Sequence, residues 1–290
     1  MKTLVIGARG FIGSHLTEFL ASYGEVVAVS LSSLQGGHRR QQIAQLLRSI
    51  KPDVCVNCSG AAHVPNSFSD PQNDFELNTA SVFEMLVAIR EQSPHTKFVH
   101  LSSAAVYGNP VRLPIGESAP LTPVSPYGYH KLAAEQICQE FSKIYGINTV
   151  SLRIFSAYGP GLRKQLLWDV YCKWRNSGDL ELFGTGAEER DFIFIDDVCA
   201  AIQTIVKSAT FVGESINVGS GEAKSIREIV TLFLHELGGS GNVRFAGRKR
   251  EGDPDCWCAD IASLRSLGFE CKTSIASGIK ATAQWLKEHG

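Results

Sequence analysis

The residues best suited to proton transfer lie in the segment Tyr127-Gly-Tyr-His-Lys131. Ser125 and Pro126 precede it, and both are favourable at a helix start, as N-cap and first helical residue. Tyr127 is therefore predicted in the first turn, with Lys131 one turn further on the same face. A phenol has an ordinary pKa of about 10, but a nearby ammonium and the positive helix end both favour phenolate. The pair is a candidate acid/base group.

Two hydroxyls that could assist this pair follow an apolar strand in Leu101-Ser-Ser-Ala-Ala-Val-Tyr-Gly108. Ligands of parallel sheets bind at the carboxyl ends of the strands. A hydroxyl there can hydrogen-bond the oxygen of a substrate carbonyl or alkoxide. We take Ser103 as the candidate catalytic hydroxyl and Ser102 as a candidate substrate contact.

A turn that could hold a pyrophosphate is indicated by Gly7-Ala-Arg-Gly-Phe-Ile-Gly13, between a predicted strand and a predicted helix. Glycines there permit a tight turn, close backbone approach to a dinucleotide and close packing of helix on strand. The helix start adds free N–H groups and a positive dipole end. The candidate cofactor contacts in this segment are Gly7, Arg9, Gly10, Phe11, Ile12 and Gly13.

The end of the second predicted strand bears on the choice between NAD and NADP. Folds selective for NAD place an acidic residue there to hold the adenosine ribose. This chain has Ser30 instead, and Arg9, Arg39 and Arg40 are basic groups that could accept a 2′-phosphate. The sequence therefore favours NADP, and NAD is the alternative.

These candidates need a scaffold, and the first 155 residues alternate between strand-like and helix-like segments. Such alternation predicts an α/β fold with a doubly wound parallel (Rossmann) sheet. We expect a dinucleotide-binding domain over residues 1–160, to which part of 191–218 returns. A smaller, interleaved substrate-binding domain is expected mainly over 161–290, with a cleft between the two.

Composition excludes several other classes of protein. A formal net charge of −1 offers no basic surface to nucleic acid or to an anionic membrane. No apolar run approaches the ~20 residues of a membrane span, and no signal peptide is evident, so we expect a cytoplasmic protein. Cys55 and Cys58 have the spacing of a metal site, but residues three apart on a strand point to opposite faces. We expect no metal site and no disulfide framework.

Together, the glycine turn, Ser103 before Val-Tyr-Gly and the Tyr127/Lys131 pair resemble the extended short-chain dehydrogenase/reductase family in order and spacing. The resemblance is to its branch of nucleotide-sugar epimerases, dehydratases and ketoreductases, and it runs nearly end to end. Further similar segments are Lys51-Pro-Asp-Val, Gly60-Ala-Ala-His-Val, Leu77-Asn-Thr, Leu152-Arg-Ile-Phe-Ser-Ala-Tyr-Gly-Pro-Gly161, Arg190-Asp-Phe-Ile-Phe-Ile-Asp-Asp-Val198 and Arg250-Glu-Gly-Asp253.

The resemblance implies roles for the matching residues. Ser103 would orient the substrate oxygen, Tyr127 would be the acid/base, and Lys131 would bind the nicotinamide ribose and lower the pKa of the tyrosine. Arg190 and Arg250 match positions that hold a nucleotide diphosphate, for which a guanidinium is suited. The alternative for Arg190 is an ion pair with Asp191 or Glu189. The resemblance also places Ala61, Asn78, Tyr127 and Lys131 at the cofactor, and Ser156, where relatives commonly have Asn, at the substrate.

One departure from the family limits the reaction. Sugar 4,6-dehydratases carry Asp and Glu after the catalytic hydroxyl, whereas this chain has Ala104 and Ala105, so dehydration is set aside. The favoured interpretation is an NADPH-dependent reductase of a 4-keto-6-deoxy-sugar nucleotide. The alternative is an NAD-dependent 4-epimerase of the UDP-sugar type, which the Arg250 segment favours. A non-catalytic, cofactor-sensing regulator is the remote alternative.

Relatives often dimerise through two helices of each subunit. The matching candidates here are the helices predicted around residues 74–92 and 127–145. We therefore expect a homodimer that binds a nucleotide-diphosphate sugar.

Overall fold

A six-stranded, fully parallel sheet forms the centre of the structure, which is a computed structural model describing residues 1–30, 39–177, 180–239, 242–248 and 251–290. Most positions of its inner strands are buried apolar residues, as expected for a parallel sheet covered on both faces. The predicted fold class is thus confirmed. In spatial order the strands are Glu25–Val29 (β2), Lys2–Ile6 (β1), Val54–Asn57 (β3), Lys97–Ser103 (β4), Thr149–Ile154 (β5) and Val212–Val218 (β9).

Helices cover both faces of this sheet and bury two separate apolar clusters. One face carries Phe11–Ala21 (α1) and Ile195–Ser208 (α8), which pack against each other. The other face carries Arg39–Ile50 (α2), Ser81–Gln92 (α5) and Pro126–Tyr145 (α6). Each helix turns its apolar stripe to the sheet, since burial of that stripe is what stabilises it.

The segment between β3 and α5 differs from the continuous helix predicted from residue 74. It forms two short helices, Val64–Ser69 (α3) and Pro71–Phe75 (α4), and then a π-helical turn over Glu76–Ala80. The wider turn buries Asn78 and Thr79. Such π turns are frequent at functional sites.

The chain after β5 builds two small sheets beside the large one. One has the strand order Ala223–Ser225 (β10), Glu189–Phe194 (β8), Ser156–Tyr158 (β6), and the other pairs Val243–Phe245 (β11) with Leu180–Leu182 (β7). Of the strands described in this region, β9 is the one that joins the large sheet, next to β5. The division into a cofactor domain and a substrate domain stays a prediction. The helices of this region, besides α8, are Gln165–Ser177 (α7), Ile226–Leu237 (α9), Ala262–Ser266 (α10) and Ile275–His289 (α11) in the described residues.

None of the helices within the described ranges is both long and apolar enough to cross a membrane.

Candidate active site

A cavity of about 790 Å³ opens at the carboxyl ends of β3, β4 and β5. This size is within the range of small-molecule sites. Ser103, Tyr127 and Lys131 line it, as do Phe183 and Trp257 of the chain after β5. The three residues predicted to carry the chemistry therefore lie together at one cavity.

Tyr127 stands in the first turn of α6, as predicted from Ser125 and Pro126. The Ser125 hydroxyl accepts a hydrogen bond from the backbone N–H of Gly128 at 3.1 Å, and Pro126 is the first helical residue. Tyr127 is only 7% exposed. Burial raises the pKa of its phenol to about 12, although a hydrogen bond with Ser103 acts in the opposite direction. The protein alone therefore does not hold a phenolate near neutral pH.

Lys131 is buried one turn further along α6. Its ammonium donates to the carbonyl oxygen of Leu101 at 2.8 Å, and it lies 6.0 Å from the centre of the Tyr127 ring. Burial lowers the pKa of Lys131 to about 8, while the carboxylates of Asp74 and Glu135 act to raise it. The lysine is thus charged at neutral pH and loses its proton in mildly alkaline solution.

Asn78 adds a second polar group beside this ammonium. Its amide donates to the carbonyl of Ala61 at 3.1 Å, while its Oδ1 is buried without a partner among the described residues. A Cβ added to Gly60 would lie 2.6 Å from that oxygen and 3.4 Å from the Lys131 nitrogen. Asn78, Ala61 and Lys131 therefore border one small space at the end of β3.

The glycine turn has the backbone that a pyrophosphate needs. Gly7 has a φ of +86°, and a Cβ there would lie 2.6 Å from the backbone nitrogen of Ser59. A Cβ on Gly13 would overlap the carbonyl oxygen of Gly7. Gly10 caps α1 without a side-chain hydrogen bond, so the first N–H groups of the helix are left for a ligand. Phe11 and Ile12 of this first turn line the cavity, and the residues therefore fit a dinucleotide.

The basic residues expected to favour NADP are placed differently from that prediction. Arg39 lies 3.6 Å from Glu84, and Arg40 pairs with Glu91, both on α5. Arg9 is exposed in the glycine turn. Ser30 directly follows β2 and is half-buried, and the connection predicted over residues 31–37 lies outside the described residues. Two of the three arginines are thus committed to carboxylates on a helix.

Ser102 lines the cavity, while its hydroxyl is engaged with α6. Its hydroxyl donates to the Glu135 carboxylate at 2.5 Å, and it is 4% exposed. The same carboxylate pairs with Arg153 at 2.8 Å and accepts from Ser215 at 3.1 Å. Alternate residues of β4 point to opposite faces, and Ser103 is the one that hydrogen-bonds Tyr127, so the contact of Ser102 with substrate stays a prediction.

Arg190 lines the cavity and makes neither of the ion pairs considered for it. Its guanidinium donates to the carbonyls of Glu189 at 2.8 Å, Asp255 at 3.0 Å and Pro254 at 2.7 Å. Burial lowers its pKa, yet a guanidinium stays charged at any physiological pH. Its positive charge is thus held at the cavity by backbone oxygens. Ser156, on β6, also lines the cavity, whereas Arg250 lies outside the described residues.

Phe183 and Trp257 line the cavity but belong to none of the motifs described above. Phe183 is 42% exposed and follows β7, and the Arg248 guanidinium lies 5.6 Å from the centre of its ring. Trp257 donates to the carbonyl of Gly108 at 2.9 Å and lies under Arg190. The signal for Phe183 was an aromatic residue before the Gly-Thr-Gly turn.

Across the described parts of the chain, no three His, Cys, Asp or Glu side chains are grouped so that they could hold a metal ion. The described cysteines are all free thiols. Cys55 belongs to one apolar cluster and Cys58 packs against the other, so the two side chains lie on different faces of the sheet.

This chain is similar to known proteins over its full length. A family model described as NAD dependent epimerase/dehydratase family matches residues 3–219. The chain is 30% identical over 327 residues to a UDP-glucose 4-epimerase of Lactobacillus helveticus, covering 100% of this chain and 98% of that protein.

Two solved structures are similar in fold and sequence. One is a UDP-glucuronic acid 4-epimerase from Bacillus cereus in complex with UDP-glucuronic acid and NAD, at 28% identity, a TM-score of 0.89 and 99% coverage of both chains. The other is a UDP-glucose 4-epimerase from Thermus thermophilus in complex with NAD, at 26% identity, a TM-score of 0.89 and 100% coverage of both.

Proposed function

The chain belongs to the NAD-dependent epimerase/dehydratase family, whose members are nucleotide-sugar enzymes of the extended short-chain dehydrogenase/reductase type, and from this we propose that it interconverts the C4 epimers of a UDP-activated sugar. The observation that carries the proposal is the single hydroxyl pair, Ser103 and Tyr127, at the cavity wall with Lys131 behind it. Epimerisation at one carbon needs one acid/base group only. Elimination of water needs a second, and Ala104 and Ala105 cannot supply it.

The 4-epimerase is preferred to the 4-keto reductase favoured by the sequence for two reasons. The similar proteins described above are UDP-sugar 4-epimerases. In addition, the argument for NADPH weakens because Arg39 and Arg40 pair with Glu84 and Glu91. We therefore propose NAD as the cofactor, held by the turn from Gly7 to Gly13, with Asn78 and Lys131 at the ribose next to its nicotinamide.

The chemistry that NAD supplies when bound is reversible removal of a hydride from a sugar carbon. Tyr127 takes the proton of the C4 hydroxyl as that hydride leaves and gives it back when the hydride returns to the other face. Ser103 hydrogen-bonds the same oxygen throughout and stabilises the charge that develops on it. Proton and hydride both return, so the reaction needs no external oxidant or reductant.

Recognition of the nucleotide is assigned to the residues that follow β5 in the chain. The Arg190 charge is suited to the diphosphate, and Arg250 is proposed to share this role. The exposed ring of Phe183 offers a face on which a base could stack. Ser156 is proposed to contact the sugar.

In the test, the purified protein is incubated with NAD and one UDP-sugar at a time, and the products are separated by chromatography. The sugars are UDP-glucose, UDP-N-acetylglucosamine and UDP-glucuronic acid. Appearance of the C4 epimer without net NADH supports the proposal. NADPH-dependent consumption of a 4-keto-6-deoxy-sugar nucleotide, with no epimer from any UDP-sugar, would replace it by the reductase.

A Tyr127→Phe variant provides the internal check. Loss of the acid/base hydroxyl should lower kcat by about 100-fold or more. Tyr129→Phe is the matched control, because Tyr129 lies on the same helix, is 59% exposed and should keep its rate within about twofold. Equal rates in both variants would contradict the assignment of Tyr127.

We also propose that the protein is a homodimer joined through α5 and α6. These helices expose large apolar side chains on the side away from the sheet, among them Phe83 at 45%, Ile144 at 70% and Tyr145 at 40%. A second copy of the same helices would cover this surface and form a four-helix contact.

A further inference from the structure

A carboxylate–imidazole pair lies directly behind the acid/base residues and has no part in the chemistry described so far. Asp74, at the end of α4, is 3% exposed. Its Oδ2 lies 2.6 Å from Nδ1 of His130, the residue that immediately precedes Lys131 on α6. The His130 side chain is 17% exposed. His130 lies inside the Tyr127–Lys131 segment but was given no role there, and Asp74 belongs to none of the motifs described above.

Two further contacts fix this pair to the segment that carries Asn78. The Thr79 hydroxyl donates to the carbonyl oxygen of His130 at 2.9 Å. The Phe75 ring meets the His130 ring edge-on, with 5.5 Å between centres. His130 therefore connects the turn that bears Lys131 to the turn that bears Asn78.

Among the described residues, the His130 imidazole is the one side chain that contacts the Asp74 carboxylate. Its Oδ1 is buried and has no partner among the described residues. The carboxylate acts to raise the pKa of both Tyr127 and Lys131. An imidazole can carry a proton, so a protonated His130 would offset the Asp74 charge that Tyr127 and Lys131 otherwise experience.

The other titratable groups on elements packed against α6 have partners of their own, apart from His100 on β4. Burial lowers the pKa of His100 well below its ordinary value, so that ring is neutral. On α6 itself, Glu135 pairs with Arg153. The remaining groups are Glu76 with Gln72, Glu84 with Arg39, Arg90 with the Tyr145 ring, Glu91 with Arg40, Lys97 with the Phe211 ring, Tyr107 with Asn217 and Glu214 with Thr210.

We propose that Asp74 and His130 are a positioning pair that keeps Lys131 in its ammonium form and sets how readily Tyr127 releases its proton. The inference rests on the proposed function, because it assigns the pair a role toward that acid/base group. Neither residue touches substrate. Asp74 acts through its charge, and His130 acts by neutralising that charge and by holding the two turns in place.

The test compares two substitutions that keep the hydrogen bond and change the charge in opposite senses. Asp74→Asn removes the negative charge, so both Tyr127 and Lys131 should lose their protons at lower pH. The acidic limb of the kcat–pH profile, set by Tyr127, and the alkaline limb, set by Lys131, should then both shift to lower pH. The expected shift is about half to one pH unit, the size expected of one charge at roughly 10 Å in a protein.

His130→Asn places an amide nitrogen near the position of Nδ1 but cannot carry a proton. The Asp74 charge then stays uncancelled in acid, so the acidic limb should move up by about half a unit. Glu76→Gln is the matched control, because it removes an exposed charge two residues from Asp74 and should leave both limbs within about 0.2 units. Rates that fall equally at every pH, with unmoved limbs, would show a purely structural pair and overturn the proposal.

A second readout separates this inference from the proposed reaction. The tyrosinate absorbance of Tyr127 can be followed against pH in the NAD-loaded protein, as the difference between each variant and the same variant carrying Tyr127→Phe. This titration needs no sugar. If no UDP-sugar is turned over but the titration shifts as expected, the proposed function is wrong and the positioning role of Asp74 and His130 is supported. If turnover is found and neither variant shifts the titration, the pair fails. Should Asp74→Asn not fold, His130→Asn alone decides.

Discussion

At the scale of single residues, burial determines the starting chemistry of the site. Taking Tyr127 and Lys131 out of water disfavours the charged form of each, which raises the pKa of the phenol to about 12 and lowers that of the amine to about 8. The proximity of the two residues does not overcome this desolvation in the protein alone. The positive charge of a bound nicotinamide would favour phenolate, so cofactor binding and proton transfer are expected to be coupled.

The buried lysine should also leave a mark on stability. Its folded pKa lies below the value of the unfolded chain, so the folded state is destabilised by the buried charge below about pH 8 and is relieved of it as the pH rises towards 10.5. At pH 7, a cofactor-free Lys131→Met protein should therefore be more stable than it is at pH 10.5, when each is measured relative to wild type. This difference in the free energy of unfolding should shrink by on the order of 2–3 kcal/mol between the two pH values.

Urea denaturation of the wild type and the variant at pH 7, 9 and 10.5 measures this difference in the free energy of unfolding. Lys143→Met, an exposed lysine on the same helix, should show no such trend. A Lys131→Met difference that is constant with pH would mean that Lys131 is not destabilised by burial.

At the scale of secondary-structure elements, Glu135 anchors α6 to the sheet. Its carboxylate binds Arg153 of β5, Ser102 of β4 and Ser215 of β9. These contacts fix the helix one turn beyond Lys131, and Arg153 extends the network to the Tyr107 hydroxyl at 2.8 Å. The orientation of the helix that carries the acid/base pair thus depends on one buried ion pair.

Glu135→Gln should be strongly destabilising, because it leaves the Arg153 charge buried without a carboxylate. Loss of one partner of a buried pair costs about 3–5 kcal/mol, which equilibrium denaturation can measure. Glu140→Gln, an exposed position on the same helix, should change stability by less than about 0.5 kcal/mol. A Glu135→Gln protein as stable as that control would show that the pair is not needed to hold α6.

Sequence patterns predicted these elements well wherever the signal is local. The alternation of apolar segments, the glycine turn and the Ser125–Pro126 helix start all depend on residues close in the chain. The carboxylate partners of Arg39, Arg40 and Ser102 could not be predicted, because they are brought near only when distant helices pack. Asp74 and His130 are 56 residues apart, and no periodicity encodes their contact.

At the scale of the whole molecule, the apolar side of α5 and α6 is the feature that a second copy would explain. Analytical ultracentrifugation of the wild type should give twice the mass of one chain. Ile144→Glu, at a position 70% exposed in the single chain, should shift the protein to the monomer, because a charge would then be buried in the contact.

The control for that measurement is Val111→Glu, which alters a loop residue that is 97% exposed and lies on neither helix. It should leave the mass unchanged. A wild type that sediments as a monomer at micromolar concentration would contradict the dimer, while the proposed reaction, whose described residues come from a single chain, would be unaffected.

The position of β9 has a consequence for how the protein is made. This strand completes the sheet beside β5, yet 57 residues separate the end of β5 at Ile154 from the start of β9 at Val212. During synthesis, the first five strands can therefore leave the ribosome while β5 still presents an open edge, the kind of edge that invites pairing with other chains. Translation of the interleaved segment sets how long that edge stays open, so the nascent chain is most in need of a chaperone during this interval.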